Sequence, residues 1–395
     1  MRILLAYSGG LDTSYLTARL AGQAGVELVT CTVDCGGLDD PARADLRQRA
    51  LALGAADHLL IDARAELFRR VLRWLIAGNV RRGGGYPLSV GAERGLQAEL
   101  LARAAQDGGF DALAHGCTGA GNDQVRFDAA LAVLAPSLQV LAPIRDETPA
   151  RAEQVAWLEQ RGLPLPPAGG RYSINAGLWG LTIGGGEMLG SADALPDDAW
   201  QWTRGARGSR SLTLAFEDGV PVALDGAAAD PVALIEALNP LAAACGVGRG
   251  YHLGDTVLGF KGRIAYEAPA AEVLLTAHRE LEKLVLTEEQ RFWKDHLGEV
   301  YGRRLHQGLF QDPLMRDIEA FLASSQGRVR GEVTVQLADG RALVSGTRSP
   351  FSMLTAGSAV YGEAPAAGAD PAGPLWLARF LAEPARLHAR AEALA

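Results

Sequence analysis

Ala6-Tyr7-Ser8-Gly9-Gly10-Leu11-Asp12-Thr13-Ser14 follows the apolar run Ile3-Leu4-Leu5 and precedes a helical pattern at Leu16, Leu20 and Ala24. The order is strand, glycine turn, helix. Adjacent Gly9 and Gly10 let backbone N–H groups turn toward an anion with no Cβ in the way. A helix starting here adds unpaired donors and partial positive charge. Ser8, Thr13 and Ser14 add hydroxyls. The spacing is neither G-x-x-x-x-G-K-[ST] nor G-x-G-x-x-G. It reads as a loop for a phosphate-rich ligand.

Outward from this loop, strands expected at 2–7, 27–33, 57–61, 111–115 and 138–142 alternate with helices near 12–24, 41–53, 64–78, 92–107, 122–134 and 148–162. Such alternation implies an α/β fold: a parallel, Rossmann-like sheet covered on both faces. Ligands bind such sheets at the carboxyl ends of the strands. Segments 8–14, 34–40 and 116–123 are therefore the expected site walls. Leu163-Pro-Leu-Pro-Pro-Ala-Gly-Gly170 breaks the pattern. Beyond it, hairpins are expected around Asp218-Gly219 and Asp339-Gly340, with helices over 232–245 and 271–297. A Pro/Gly/Ala-rich linker at 363–374 leads to a final helix, 375–394. The expected division is 1–165 for the nucleotide-binding domain, 166–362 for an α+β domain, and 363–395 for linker and helix.

The chain has 395 residues, enough for two domains. Its 48% hydrophobic and 21% charged residues are ordinary for a soluble globular protein. A net charge of −8 argues against a general nucleic-acid or membrane-surface binder. Met1-Arg2 runs straight into a core strand, which leaves no expected signal peptide. No run approaches the ~18 apolar residues of a membrane span. Cys31, Cys35, Cys117 and Cys245 give neither zinc spacing nor a disulfide framework, so the cytoplasm is the expected compartment. His115 reads as a packing residue. His252, His278, His296 and His306 lack metal-ligand spacing, and no metal site follows from side-chain spacing.

A second motif follows the fourth expected strand: His115-Gly116-Cys117-Thr118-Gly119-Ala120-Gly121-Asn122-Asp123-Gln124-Val125-Arg126-Phe127. Its glycines allow close backbone approach. Asn122 and Arg126 share one face of the helix that starts here, and a guanidinium there can clamp a carboxylate.

Ser-Gly-Gly-x-Asp-Ser/Thr resembles the pyrophosphate loop of the ATP-pyrophosphatase enzymes. Together the two motifs resemble the argininosuccinate synthase family, which carries A-[FY]-S-G-G-L-D-T-S and G-A-T-G-K-G-N-D-Q-V-R-F. Weaker similarity runs through Tyr172-Ser173, Gly246–Arg249, Gly259–Arg263 and Tyr266-Glu267, to roughly residue 360. The resemblance implies an ATP- and magnesium-dependent C–N ligase that joins citrulline to aspartate through an adenylate. It also implies a homotetramer whose last helix reaches a neighbouring subunit.

By the same resemblance Ala6, Tyr7, Ser8, Gly9, Gly10, Leu11, Asp12, Thr13, Ser14, Val33 and Gly116 bind ATP. Thr118, Asn122 and Asp123 bind aspartate, and Tyr86, Asn122, Arg126, Ser173, Thr182 and Tyr266 hold citrulline. Asp12, which also suits the magnesium, Asp123 and Arg126 are the candidate catalytic residues.

The chain departs from the family pattern in places. Ala120 stands for a lysine; losing one such donor costs about 2–4 kcal/mol of transition-state stabilisation where it acts there, and Lys261 is a candidate substitute. L-G-T-S-I-A-R-P aligns with Leu88–Gly95, so a citrulline-contacting serine becomes Gly91. Y-S-x-D-x-N-L-x-H-x-S aligns with Tyr172–Thr182, where three polar side chains shrink or vanish. The glutamate that pairs with citrulline's α-ammonium aligns with Gly254, or, with a one-residue shift, Asp255. Three readings stay open beside citrulline ligation: the same chemistry on another ureido or carbonyl acceptor, a non-catalytic nucleotide-binding protein, and a tRNA-modifying relative, which the acidic charge disfavours.

Overall fold

The computed structural model describes residues 1–167, 170–363, 365–366, 368–370 and 372–394. It divides into two units, Met1–Pro350 and Phe351–Ala395.

In the first unit, β1 (Arg2–Ala6), β2 (Glu27–Asp34), β3 (Asp57–Asp62), β4 (Ala112–Ala114) and β5 (Gln139–Leu141) form a parallel sheet in the order β3-β2-β1-β4-β5. Alternate residues of β1 face opposite sides. Ile3 and Leu5 pack with Leu16 and Leu20 of helix α1 (Leu11–Ala21). Leu4 packs with Leu101 and Phe127 from helices Arg94–Asp107 and Asp123–Leu134 on the other side. Burial on both faces is why β1 is continuously apolar.

Two antiparallel sheets follow. β6 (Tyr172–Gly177), β7 (Gly180–Gly185), β11 (Arg249–Asp255) and β12 (Lys261–Glu267) lie in the order β11-β12-β7-β6. β8 (Ser209–Glu217), β9 (Val220–Leu224), β10 (Ala227–Ala228), β13 (Gly331–Ala338) and β14 (Arg341–Arg348) lie in the order β10-β9-β8-β13-β14. The hairpins at Asp218-Gly219 and Asp339-Gly340 have paired positive φ values, 48° and 74°, 49° and 75°. Such turns match the right-handed twist of their strands.

The parallel alternation agrees with the sequence expectation to within a few residues. The expected helix over 271–297 is instead two, Pro269–Val285 and Glu288–His306. A capping box divides them: Thr287 Oγ1 accepts from Gln290 N at 3.3 Å, and Gln290 Oε1 accepts from Thr287 N at 3.0 Å. The antiparallel strands β6, β7, β11 and β12 and the helix Pro313–Gln326 are additions to the expected elements.

Residues 168 and 169 of the expected boundary, and 364, 367 and 371 of the expected linker, lie outside the described residues. In the second unit the final helix runs Gly373–Ala393. Trp376, Phe380 and Leu381 on it are left uncovered within that unit.

Candidate active site

The phosphate-loop glycines take the conformation that the sequence requires. Gly9 has φ +73°, and a Cβ there would come within 2.4 Å of the Leu46 side chain. Gly10 is the N-cap of α1 and no side chain caps the helix, so its first-turn donors stay open to a ligand. Arg49, on α2 (Asp40–Ala52), donates from a guanidinium nitrogen to Gly9 O at 2.9 Å and fixes the loop from behind. Ser8 Oγ and Thr13 Oγ1 lie 3.2 Å apart. Asp12 accepts from Gln154 Nε2 at 2.9 Å through one oxygen.

The second motif meets this loop directly. A Cβ on Gly116 would lie 3.0 Å from Thr13 Cγ2, so glycine permits the approach. One cavity of about 690 Å³ is lined by Ser8, Asp12 and Thr13 from the first motif and by Gly116, Thr118 and Asp123 from the second. Ala6, Tyr7, Val33, Asn122, Arg126 and Ser173 also line it. Gly9, Gly10, Leu11 and Ser14 are not among its lining residues: Gly10 is exposed, and Ser14 is 2% exposed, buried one turn into α1.

A second cavity, about 220 Å³, adjoins through shared residues. Asn122, Asp123 and Arg126 line both, and Tyr86 and Thr182 line the smaller one. Tyr266 stands against Tyr86 with ring centroids 5.1 Å apart, just behind the wall. Asn122 Oδ1 accepts from Val257 N at 2.8 Å, which pins the β11–β12 turn over the motif.

Arg126 is the junction. Its Nε donates to His306 O at 2.8 Å, at the carboxyl end of helix Glu288–His306, where partial negative charge favours a cation. Its other nitrogens reach Asp123 Oδ1 at 2.7 Å and His306 Nδ1 at 3.0 Å. Asp123 Oδ2 accepts from Arg94 at 3.0 Å. Burial pushes the Asp123 carboxyl up, but Arg94 and Arg126 outweigh it and the net direction is down. Asp123 is thus a carboxylate held between two guanidiniums.

Several lining residues escaped the sequence reading: Arg82, Glu93, Asn175, His252 and His306. They come from segments far apart in the chain, and no local spacing marks them. Lys261 lines neither cavity and pairs instead with Asp255 at 2.6 Å, so it does not stand in for the lysine absent at Ala120. Among the described residues no group of three or more His, Cys, Asp or Glu is placed to hold a metal ion.

The model of the arginosuccinate synthase N-terminal HUP domain matches residues 2–164, and that of the arginosuccinate synthase C-terminal domain matches 172–369. The chain belongs to the argininosuccinate synthase family. Its similarity to curated argininosuccinate synthases runs nearly end to end. It is 38% identical to that of Methanocaldococcus jannaschii over 355 residues, 89% of each chain. It is 40% identical to that of Thermosynechococcus vestitus over 367 residues, 91% of each. Against that of Xanthomonas campestris it is 39% identical over 386 residues, 94% of each. Within an argininosuccinate synthase-type site, the two motifs occupy one cavity and the departing residues Gly91 and Gly254 cluster in the other.

Proposed function

We propose that this chain is an ATP-dependent C–N ligase that joins citrulline to aspartate, releasing AMP and pyrophosphate. One observation carries the reading: both motifs line a single cavity, and Asn122, Asp123 and Arg126 extend from it into the acceptor cavity. A nucleotide, an amine donor and a ureido acceptor then meet at one place. Family membership supports the same chemistry.

In this reading ATP lies along Ser8–Thr13, with its base toward Val33 and its phosphates over the α1 N-terminus. The ureido oxygen of the acceptor attacks the α-phosphorus, and the bond to pyrophosphate breaks. Uncapped N–H groups and the Ser8 and Thr13 hydroxyls receive the charge that develops on the leaving pyrophosphate. The aspartate amino group, held by Thr118, Asn122 and Asp123, then attacks the activated ureido carbon. AMP leaves with the electron pair of the broken C–O bond, and the amine gives up a proton. Approach of the two reactants in fixed geometry supplies much of the rate. Magnesium, when bound with the triphosphate, would supply neutralisation of phosphate charge. Asp12 is the fitting side-chain donor, a hard oxygen ligand with one carboxylate oxygen outside its bond to Gln154.

The chain is placed in the cytoplasm by this reading; Cys31, Cys35, Cys117 and Cys245 are free thiols, as reducing conditions keep them. Among the described residues no helix is long and apolar enough to cross a membrane. We also infer a homotetramer and the three-part division at 165 and 362, with the C-terminal helix as the oligomerisation element.

The test is pyrophosphate release by the full chain with ATP, magnesium and aspartate before and after citrulline is added, with the product followed by mass. Citrulline-dependent pyrophosphate together with argininosuccinate is the expected result. ATP binding without turnover on any ureido acceptor would overturn the ligase reading.

A further inference from the structure

The smaller cavity is floored by one face of the β11-β12-β7-β6 sheet. The opposite face of that sheet is buried on Leu181, Ile183, Met188, Trp200 and Ala265. Side chains alternate along a strand. His252 stacks on Tyr86, centroids 5.4 Å apart, so position 252 faces the cavity, and so does Gly254 two residues on. Asp255 has the opposite parity; it still lines the cavity, but its side chain is 63% exposed and its carboxylate is paired with Lys261. By this parity the strand position that faces the site beside His252 is a glycine, and the neighbouring carboxylate is held by Lys261.

The space left by that glycine is filled. A Cβ on Gly254 would lie 2.5 Å from His252 Nε2. An imidazole thus stands where a side chain from 254 would begin. Its Nε2 is buried without a hydrogen-bond partner, which calls for a ligand group.

The surrounding charge is positive. Among the described residues the Arg82 guanidinium donates only to the Asp255 carbonyl oxygen. Arg126 lines the same cavity, and its two lining carboxylates are already engaged: Asp123 is shared by Arg126 and Arg94, and Asp255 is paired with Lys261. Burial and then Arg126 hold the Arg82 guanidinium down, against the opposing pull of Asp255 and Tyr86. Burial first, then Arg126 and Arg82, push His306 down to about 3. Both are marks of a positive field in a partly desolvated space.

We propose that this cavity takes a ureido acid whose α-nitrogen carries no positive charge, acylated or absent, in preference to citrulline itself. The proposal rests on the ligase reading. A free α-ammonium loses water here without gaining a carboxylate that is not already paired with a cation. A carboxylate meets Arg82 and Arg126. An uncharged amide meets His252 Nε2, with Asn175 and Thr182 beside it. Gly91 leaves room: a Cβ there would meet only the Arg126 guanidinium, at 3.7 Å.

The experiment compares citrulline, N-acetylcitrulline and desaminocitrulline as acceptors for pyrophosphate release by the full chain with ATP, magnesium and aspartate. The kcat/KM of at least one of the two acids that lack the α-ammonium should exceed that of citrulline by about tenfold or more. The double variant His252→Ala/Gly254→Glu, which makes room and supplies a carboxylate, should shift the preference toward citrulline by about tenfold. ATP binding by calorimetry reports whether that variant is folded, and the wild-type ratio decides alone if it is not. Citrulline turned over as well as or better than both acids overturns the proposal and leaves the ligase reading standing. No pyrophosphate with any of the three, while ATP binds, removes the ligase reading and the proposal with it.

Discussion

Arg126 reaches protein partners from all three guanidinium nitrogens, yet it lines both cavities. Arg126→Ala removes the proposed acceptor clamp and leaves Asp123 with Arg94 alone. Truncating one side of a buried charge pair costs about 2–5 kcal/mol. The kcat/KM for the acceptor should fall about hundredfold or more, with ATP affinity, read by calorimetry, little changed. An unaltered kcat/KM would take Arg126 out of the acceptor site. Glu93 is the opposite case, a buried carboxyl with Oε1 unpartnered. A Cβ on Gly177 would come within 1.9 Å of that oxygen, so the glycine is what admits the glutamate. Burial, and secondarily Asp34 and Asp123, raise its pKa well above 4.5, against the opposing pull of Arg94. In the unfolded chain the group ionises near its ordinary value, whereas in the folded chain it holds its proton to higher pH. The unfolded state therefore binds fewer protons between those two values, and stability falls as pH rises through that window. Glu93→Gln should abolish this slope, so its melting temperature should gain on the wild type as pH climbs from about 4.5. Parallel melting curves across that range would refute the assignment. Asn122, Asp123 and Arg126 are legible in sequence because one helix start carries them all. Arg82, His252 and His306 are not, because only tertiary packing gathers them.

At the scale of elements, the phosphate loop depends on a left-handed Gly9 with Leu46 directly over its missing side chain. Gly9→Ala adds both a strained φ and a clash, of order 1–3 kcal/mol. ATP affinity should weaken about tenfold or more, as titration calorimetry would read. Unchanged affinity would mean that the loop does not cradle the nucleotide. The parallel half of the molecule is legible because β1 holds the apolar run Ile3-Leu4-Leu5, β2 is rich in Val and Thr, and the helices that follow them show their own period. The acceptor-side sheet hides itself. Its cavity face carries Gly177, Gly254 and Gly262, and glycine erases the polar–apolar alternation by which a strand is recognised. The features that open the pocket are the ones that conceal its strands. The Leu286-Thr287 break was legible in principle, since Thr287-Glu-Glu-Gln290 is a capping-box sequence, but the long apolar pattern on either side overrides so local a cue.

For the whole molecule, the C-terminal helix presents Trp376, Phe380 and Leu381 uncovered by its own unit. Contiguous apolar surface of this kind marks an association face. Light scattering of the full chain should give a tetramer. A chain shortened to residues 1–350, which hold their own core, should give a smaller species that still binds ATP. A full-length monomer would end the assembly reading. Within the first unit, the two cavities share one ion pair, and this has a thermodynamic consequence. An acceptor carboxylate that draws Arg126 away leaves Asp123 less neutralised and readier for the ammonium of aspartate. Binding in either chamber then strengthens binding in the other, and linkage requires the two enhancements to be equal. On the proposed substrate assignment, the pair at Arg126 and Asp123 would make the site heterotropically cooperative, filling more readily as a ternary set than one substrate at a time.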